Sequence, residues 1–400
     1  MAQPRLDPVM ADQERWLLPE GIEEILPDEA RRLERLRRKL LDLLAAWGYE
    51  LVMPPLIEYL DALLTGTGRD LDLQTFKLTD QLTGRLMGVR ADMTPQAARI
   101  DAHYLKRERP VRLCYAGNVL RTRPDVFAGS RELLQLGAEL FGHPGPESDI
   151  EVARLMLAAL GAAGLRELHL GLGHVGVFRA LSAEARLPEA LENDLFEALQ
   201  RKARSQVEAL LAASDAPAGV KAMLAALVDL NGGAETLIRA RELLKAAPPA
   251  VHVALVNLER VASAVTQVNA PVYFDLAELR GYRYYTGVVF SAFVAGQGQA
   301  IAQGGRYDGI GRAFGRARAA TGFSTDLRRL LRLAPVDDAG AKGILAPHTG
   351  MPGLDEMMTK LRAAGECVVA RLPGDSLPAS ALGCDRELVE QGGQWIVKPV

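Results

Sequence analysis

Apolar residues recur at helical spacing between Asp28 and Trp47, where Leu33, Leu36, Leu40, Leu43, Leu44 and Trp47 share one face. Pro27 ahead of them and Gly48 behind them supply start and stop signals, so the stretch predicts an amphipathic helix. "YELVMPPLIE" then reads as a strand ended by a double proline, followed by a polar loop with Gly66 and Gly68. "TFKLTD" and "RLMGVRADM" predict a hairpin. Thr94 before Pro95 predicts an N-cap and a first helical residue, opening a helix toward Leu105. Two apolar-alternating segments follow, "VRLCYAGNVLR" and "RELLQLGAELFG", joined by a loop with Pro124 and Gly129. Strand pairs without helices between them imply an antiparallel sheet.

From about Pro188 to Ala264 the chain is rich in Ala, Leu, Glu and Arg, which predicts a helical insertion over 188–264 between sheet strands. Strands resume with "PVYFDLAEL", "YYTGVVFSAFV" and "QAIAQGG", and "GFSTDLRRLLRL" reads as a strand end running into a helix. "APVDDAGA" resembles a linker, and "GILAP", "GLDEMMTKLRAAG", "ECVVARL" and "QWIVKPV" predict a small α/β unit. The pattern therefore predicts an α+β chain: a helix-flanked antiparallel sheet over residues 1–332, then a second domain over 341–400.

Composition narrows the classes. With 48% hydrophobic and 24% charged residues the chain has material for a large core. A formal net charge of -3 gives no global attraction to a phosphate backbone, and no basic stripe stands out. Cys114, Cys367 and Cys384 form no CxxC pair, which fits a reducing compartment. The opening residues hold no apolar core of a signal peptide, and no apolar run reaches a membrane span, so a cytoplasmic protein is expected. The histidines show no metal-ligand spacing beyond His169 and His174, and no metal site is expected. "GLGHVG" only loosely imitates a dinucleotide fingerprint and reads as a plain turn.

Polar residues inside the strands carry the chemistry. Arg121, Gln135, Glu139, Arg280, Tyr284, Tyr285 and Arg306 interrupt or border apolar runs, and each taken singly fits an exposed position on a one-sided sheet. Gln135, Gly137 and Glu139 alternate, however, so they share a face with Leu133 and Phe141. Such a mixed face suits a pocket floor, with Gly137 leaving room for a ligand and Glu139 able to accept from an imidazole or ammonium. The stretch Asn118–Gly142, with Arg121, Arg123 and Arg131 upstream of Gln135 and Glu139, could cradle a nucleotide with an amino acid, or the amino acid alone.

Over roughly residues 18–332 the chain resembles the catalytic domain of class II histidyl-tRNA synthetases. "LRGYRYYTGVVF" is similar to the signature RGLDYYTGTVF, and "GGRYDGI" to the second histidine-specific signature. "VRADMTPQAARI", "LRTR…SRELLQLGAELFG" and "GFSTDLRRL" align with the class segments RPEGT, FRxE…FxQxGxE and GFAIGLERL. The resemblance implies that Asp92, Thr94 and Gln135 hold an α-amino group, Arg121 lies near the carboxylate, and Glu139 with Tyr285 and Tyr307 reads the imidazole. It extends the pocket to Tyr284 and to Arg280, which assists adenylation in the synthetases.

The departures fall on the nucleotide side. Arg123 replaces a glutamate that meets adenine, and Asp326 and Arg328 replace a glycine and an acidic residue, leaving Arg329 as the γ-phosphate partner. A carboxylate beside a triphosphate costs on the order of 1 to 4 kcal/mol per close charge pair. Arg283 stands where the synthetases have an aspartate. Only residues 333–400 follow where a synthetase carries an anticodon-binding domain, and they are not notably basic, so tRNA binding is not expected.

"RADMTPQAARI" and "GGRYDGIGRAFGR…TGFSTDLRRL" are similar to a synthetase-like family of regulatory subunits of ATP phosphoribosyltransferase. That resemblance implies a chain with no cofactor and no chemistry of its own. It implies activation of a short-form catalytic subunit, feedback inhibition by L-histidine, a homodimer through the synthetase-like core, and a hetero-octamer of four plus four chains. An active histidyl-tRNA synthetase and a stand-alone histidine-sensing paralogue are the other readings.

Overall fold

The computed structural model describes residues 16–66, 69–124, 129–266, 270–281, 284–335, 343–348 and 350–400. The opening residues 1–15, Arg283 and most of the expected linker, residues 336–341, lie outside these. The chain divides into two units, Met1–Ala334 and Pro335–Val400.

The first unit opens with α1 (Pro27–Ala46), which buries Leu33, Leu36, Leu40 and Leu44 as its spacing requires. β1 (Glu50–Leu51) is shorter than "YELVMPPLIE" suggests, because Pro54 and Pro55 have no N–H for a ladder. The chain resumes as β2 (Ile57–Tyr59), and the expected polar loop holds two short helices, α2 (Leu60–Leu64) and α3 (Arg69–Gln74). β3 (Phe76–Thr79) and β4 (Leu86–Val89) form the predicted hairpin, with β2 on the other edge of β4. α4 (Thr94–Arg99) passes into a π-helical turn, Ile100–Leu105. Met93 rather than Thr94 takes the cap position, since the Thr94 hydroxyl bonds to Tyr115 instead.

The main sheet comprises β5 (Val111–Leu120), β6 (Glu132–Phe141), β7 (Leu168–His174), β8 (Asn231–Gly232), β9 (Val272–Asp275), β10 (Val288–Val294), β11 (Ala302–Arg306) and β12 (Ala320–Asp326), together with β1. Their order is β1-β5-β6-β12-β11-β10-β7-β9-β8. The predicted antiparallel pairing holds from β5 through β7, but β1 runs parallel to β5 and β9 parallel to β7. A parallel pair needs a long crossover, and the helical insertion is the crossover between β7 and β9.

Between the strands run α5 (Pro146–Ala162), α6 (Val175–Ala185), α7 (Glu189–Gln200), α8 (Arg204–Ala212), α9 (Ala218–Ala226), α10 (Glu235–Leu243) and α11 (Pro249–Thr266); α12 (Leu327–Leu333) follows β12. The insertion adds to the sheet's core rather than forming its own, with Leu195, Leu224, Leu255 and Val261 in one buried cluster with Leu172 and Phe178. It also contributes the edge strand β8. "GLGHVG" is a strand-to-helix junction rather than a plain turn: His174 ends β7 and its Nδ1 accepts from the Gly176 N–H at 3.1 Å, capping α6. Burial holds that imidazole neutral, down to about 4, with the Arg306 charge acting in the same direction.

The second unit holds β13 (Gly343–Ala346), α13 (Leu354–Ala363), β14 (Val368–Ala370), β15 (Cys384–Gln391) and β16 (Gln394–Pro399), in sheet order β14-β13-β15-β16. β15, "CDRELVEQ", escapes a reading by apolar alternation because four of its eight side chains are charged.

Candidate functional site

β6 sets Gln135, Gly137 and Glu139 on one face. Glu139 is only 1% exposed, and its carboxyl group is held at both oxygens: the Tyr115 hydroxyl donates to Oε1 at 2.8 Å and the Tyr307 hydroxyl to Oε2. Tyr115 stands on β5 directly across from Gly137, where a Cβ would run into its phenol ring. The space that the sequence suggested for a ligand at Gly137 is therefore filled by protein. Gly322, opposite Glu139 on β12, leaves the room that the carboxyl group occupies. Burial pushes the Glu139 carboxyl up from 4.5 to about 8, against the opposing effect of the two tyrosine hydroxyls. At pH 7 the pocket thus presents a predominantly neutral acid.

Asp92, at the turn before α4, accepts through Oδ1 from the Thr94 N–H at 3.1 Å and from Gln135 Nε2 at 2.7 Å. Gln135 uses its other end on the Met93 N–H at 2.9 Å, so it braces Asp92 from behind the pocket. The Thr94 and Tyr115 hydroxyls lie 2.9 Å apart, which joins the two carboxyl groups through one buried network.

A cavity of about 800 Å³ opens over this floor, lined by Asp92, Thr94, Arg121, Glu139, Arg280, Tyr284, Tyr285 and Tyr307. Tyr284 stacks on Tyr307 with centroids 4.9 Å apart, and meets Tyr285 edge-on at 5.2 Å. The Tyr284 hydroxyl and Arg121 Nε are shielded from water and have no hydrogen-bond partner among the described residues. Buried donors of this kind are normally satisfied, so both are free to meet polar groups of a molecule in this cavity. Asn193, Phe196 and Glu197 of α7 complete the wall.

Asp326, Arg328 and Arg329 line a different cavity, of about 410 Å³. Arg329 donates to the carbonyls of Ala300 at 2.8 Å and Gln299 at 3.2 Å, and Arg328 pairs with Glu132 at 3.1 Å. The Asp326 carboxylate accepts from the N–H groups of Leu134 and Arg328, capping α12. Arg123 is exposed and lines neither cavity. Arg306, grouped by sequence with the pocket residues, is instead buried in an ion pair with Asp149 at 3.1 Å. Among the described residues no three His, Cys, Asp or Glu side chains gather as metal ligands. No described helix is long and apolar enough to cross a membrane.

Sequence reasoning missed Tyr115 and the α7 wall. Tyr115 was detectable only through strand register, which sets the largest side chain of β5 against the one glycine of the β6 floor. The α7 residues carry no local signal, since Phe196 reads as one more apolar position of an amphipathic helix.

Residues 21–330 match the family model described as histidyl-tRNA synthetase, and residues 341–398 match that of the ATP phosphoribosyltransferase subunit HisZ C-terminal domain. A protein of Alkalilimnicola ehrlichii described as ATP phosphoribosyltransferase regulatory subunit is 55% identical over 98% of this chain and 100% of its own length. One of Pseudomonas aeruginosa with the same description is 54% identical over 98% and 100%. A crystal structure from Bacillus halodurans, described as an ATP phosphoribosyltransferase regulatory subunit/histidyl-tRNA synthetase, superposes with a TM-score of 0.80 at 30% identity, covering 92% of this chain and 95% of that one. Histidyl-tRNA synthetase from Nostoc shares the fold at 19% identity, with a TM-score of 0.76 over 96% and 97% of the chains.

Proposed function

The chain belongs to the family of ATP phosphoribosyltransferase regulatory subunits, and from that premise we propose that it activates a separate short-form catalytic subunit and conveys feedback inhibition by L-histidine. The pocket binds histidine: Asp92 accepts from the α-amino group, Arg121 lies toward the carboxylate, and Glu139 with the tyrosine wall reads the imidazole. A neutral Glu139 carboxyl can donate to an unprotonated imidazole nitrogen, and an ionised one can accept from an N–H, so either tautomer is met.

One observation carries the non-catalytic part of this reading: Asp326, Arg328 and Arg329, three of the side chains where a synthetase would meet its nucleotide, are spent on partners inside the protein. Arg329 is committed to two backbone carbonyls and Asp326 to two backbone N–H groups, so neither is poised for a triphosphate. Support for a homodimer comes from the segment around β1 and β2, where Leu51, Met53, Leu56 and Ile57 are all exposed and Met53 is 80% accessible. Arg90 fixes that segment by donating to the Pro54 and Pro55 carbonyls. A hetero-octamer of four regulatory and four catalytic chains follows if two such dimers meet the catalytic subunits.

The test is ATP/pyrophosphate exchange in the presence of histidine, run beside calorimetry of histidine binding. Histidine binding without exchange is expected. Exchange at rates typical of a synthetase would overturn the reading.

A further inference from the structure

Arg280 lines the histidine pocket, but the residue that governs it does not. Glu278 stands behind Arg280 and grips one edge of its guanidinium: Nη2 to Oε2 at 2.7 Å, and Nε to Oε1 at 3.0 Å. The same Oε1 accepts the Arg280 backbone N–H at 3.0 Å, so side chain and backbone are fixed together. Nη1 donates to no described residue. A guanidinium offers two edges to carboxylates, and occupation of the Nε/Nη2 edge leaves the Nη1/Nη2 edge for a second, bidentate partner.

Glu278 is itself rigidly placed. It follows a turn in which its N–H donates to the Asp275 carbonyl at 3.2 Å and Asp275 Oδ1 accepts the Ala277 N–H at 3.0 Å. Asp275 Oδ2 pairs with Lys202, just beyond α7, at 2.8 Å. On its other side Glu278 packs against β7 so closely that a Cβ on Gly173 would lie 3.0 Å from the Glu278 Cβ and 2.9 Å from the Asp275 carbonyl oxygen. A flexible cation at a pocket rim is thereby held by a buttress with little freedom of its own, and the side chain is only 21% exposed.

We propose that Glu278 is a positioning residue for carboxylate recognition: by holding one edge of Arg280 it aims the other at the α-carboxylate of the bound amino acid, and so sets the preference for an amino acid over its carboxylate-free analogue. This rests on the reading that the pocket binds histidine. Its test is calorimetry on the full chain with L-histidine and with L-histidinol, which has a hydroxymethyl group in place of the carboxylate. Glu278→Gln is expected to weaken L-histidine about five- to tenfold, the factor for re-ordering one rotamer-rich side chain, and to leave L-histidinol within about twofold. Arg280→Gln is expected to reduce the discrimination between the two ligands to the part that Arg121 supplies. Unchanged or tighter histidine binding in Glu278→Gln would overturn the proposal while leaving the pocket assignment intact. Equal weakening of both ligands would also overturn it, since that is what a general structural role predicts. Wild-type protein that binds neither ligand would instead sink the pocket assignment, and this proposal with it.

Discussion

Glu139→Gln replaces the buried acid at the floor of the pocket with a neutral side chain of nearly the same shape. Below pH 4.5 the wild-type carboxyl is protonated in both the folded and the unfolded chain, so it contributes no pH dependence. Between 4.5 and about 8 the unfolded chain releases a proton that the folded chain keeps, and stability falls as pH rises. At about 1.4 kcal/mol per pH unit, the rise from 4.5 to about 8 amounts to roughly 5 kcal/mol well above pH 8, and about 3 kcal/mol of it accrues between pH 5.5 and 8. The glutamine variant keeps a partner for each tyrosine hydroxyl and carries no titratable group. Urea unfolding of both proteins at pH 5.5, 6.5, 7.5 and 8 should therefore show the wild type losing ground against the variant by about 3 kcal/mol across that range. Parallel pH profiles would refute the reasoning, because they would mean that Glu139 is ionised in the folded protein at pH 5.5.

Gly322→Ala places a methyl group on the Glu139 carboxyl, so histidine binding should be lost and the melting temperature should fall; calorimetry and a thermal scan check both. Asp149→Ala leaves Arg306 buried at 7% exposure with one remaining carboxylate partner, Asp308, and should cost about 3 kcal/mol in denaturant unfolding. His174→Ala removes the α6 cap and should cost about 1 to 2 kcal/mol, whereas His174→Asn, which can still accept from the Gly176 N–H, should lose less than half of that. Asp92→Asn should weaken L-histidine at least tenfold by titration calorimetry, while leaving urea stability within about 1 kcal/mol because Gln135 and the Thr94 N–H keep an acceptor.

The order of strands and helices was legible where one periodicity held long enough. The apolar spacing from Leu33 to Leu44 placed α1, and the alternation of Gln135, Gly137 and Glu139 put all three on one face of β6, although of the three only Glu139 lines the cavity. What escaped depends on which strands become neighbours. Nothing local in "ELV" marks β1 as parallel to β5, and nothing in 188–264 shows that its helices close over the sheet's own core and lend it an edge strand. Arg121 and Glu139 were readable as strand interruptions, whereas Asp92, Thr94 and Tyr307 came only from the family resemblance, and Arg306, with the same local appearance as Arg121, turned out to serve an ion pair with α5. Gly137 was read as vacant space because its cross-strand partner was unknown. Register supplied Tyr115, and with it the reason for the glycine. The spent state of Arg329 and Asp326 was likewise invisible, since their partners are backbone groups of Gln299, Ala300 and Leu134, which carry no sequence signal.

The central claim is that this chain controls another chain's chemistry through a histidine pocket. It is tested most directly by the rate of phosphoribosyl-ATP formation by a purified short-form catalytic subunit, with and without this protein, across a titration of L-histidine. The account predicts a rate raised by this protein and returned toward the unassisted level by histidine, with Asp92→Asn activating normally but requiring more histidine. A catalytic rate indifferent to this protein, or an activated rate indifferent to histidine, would contradict it.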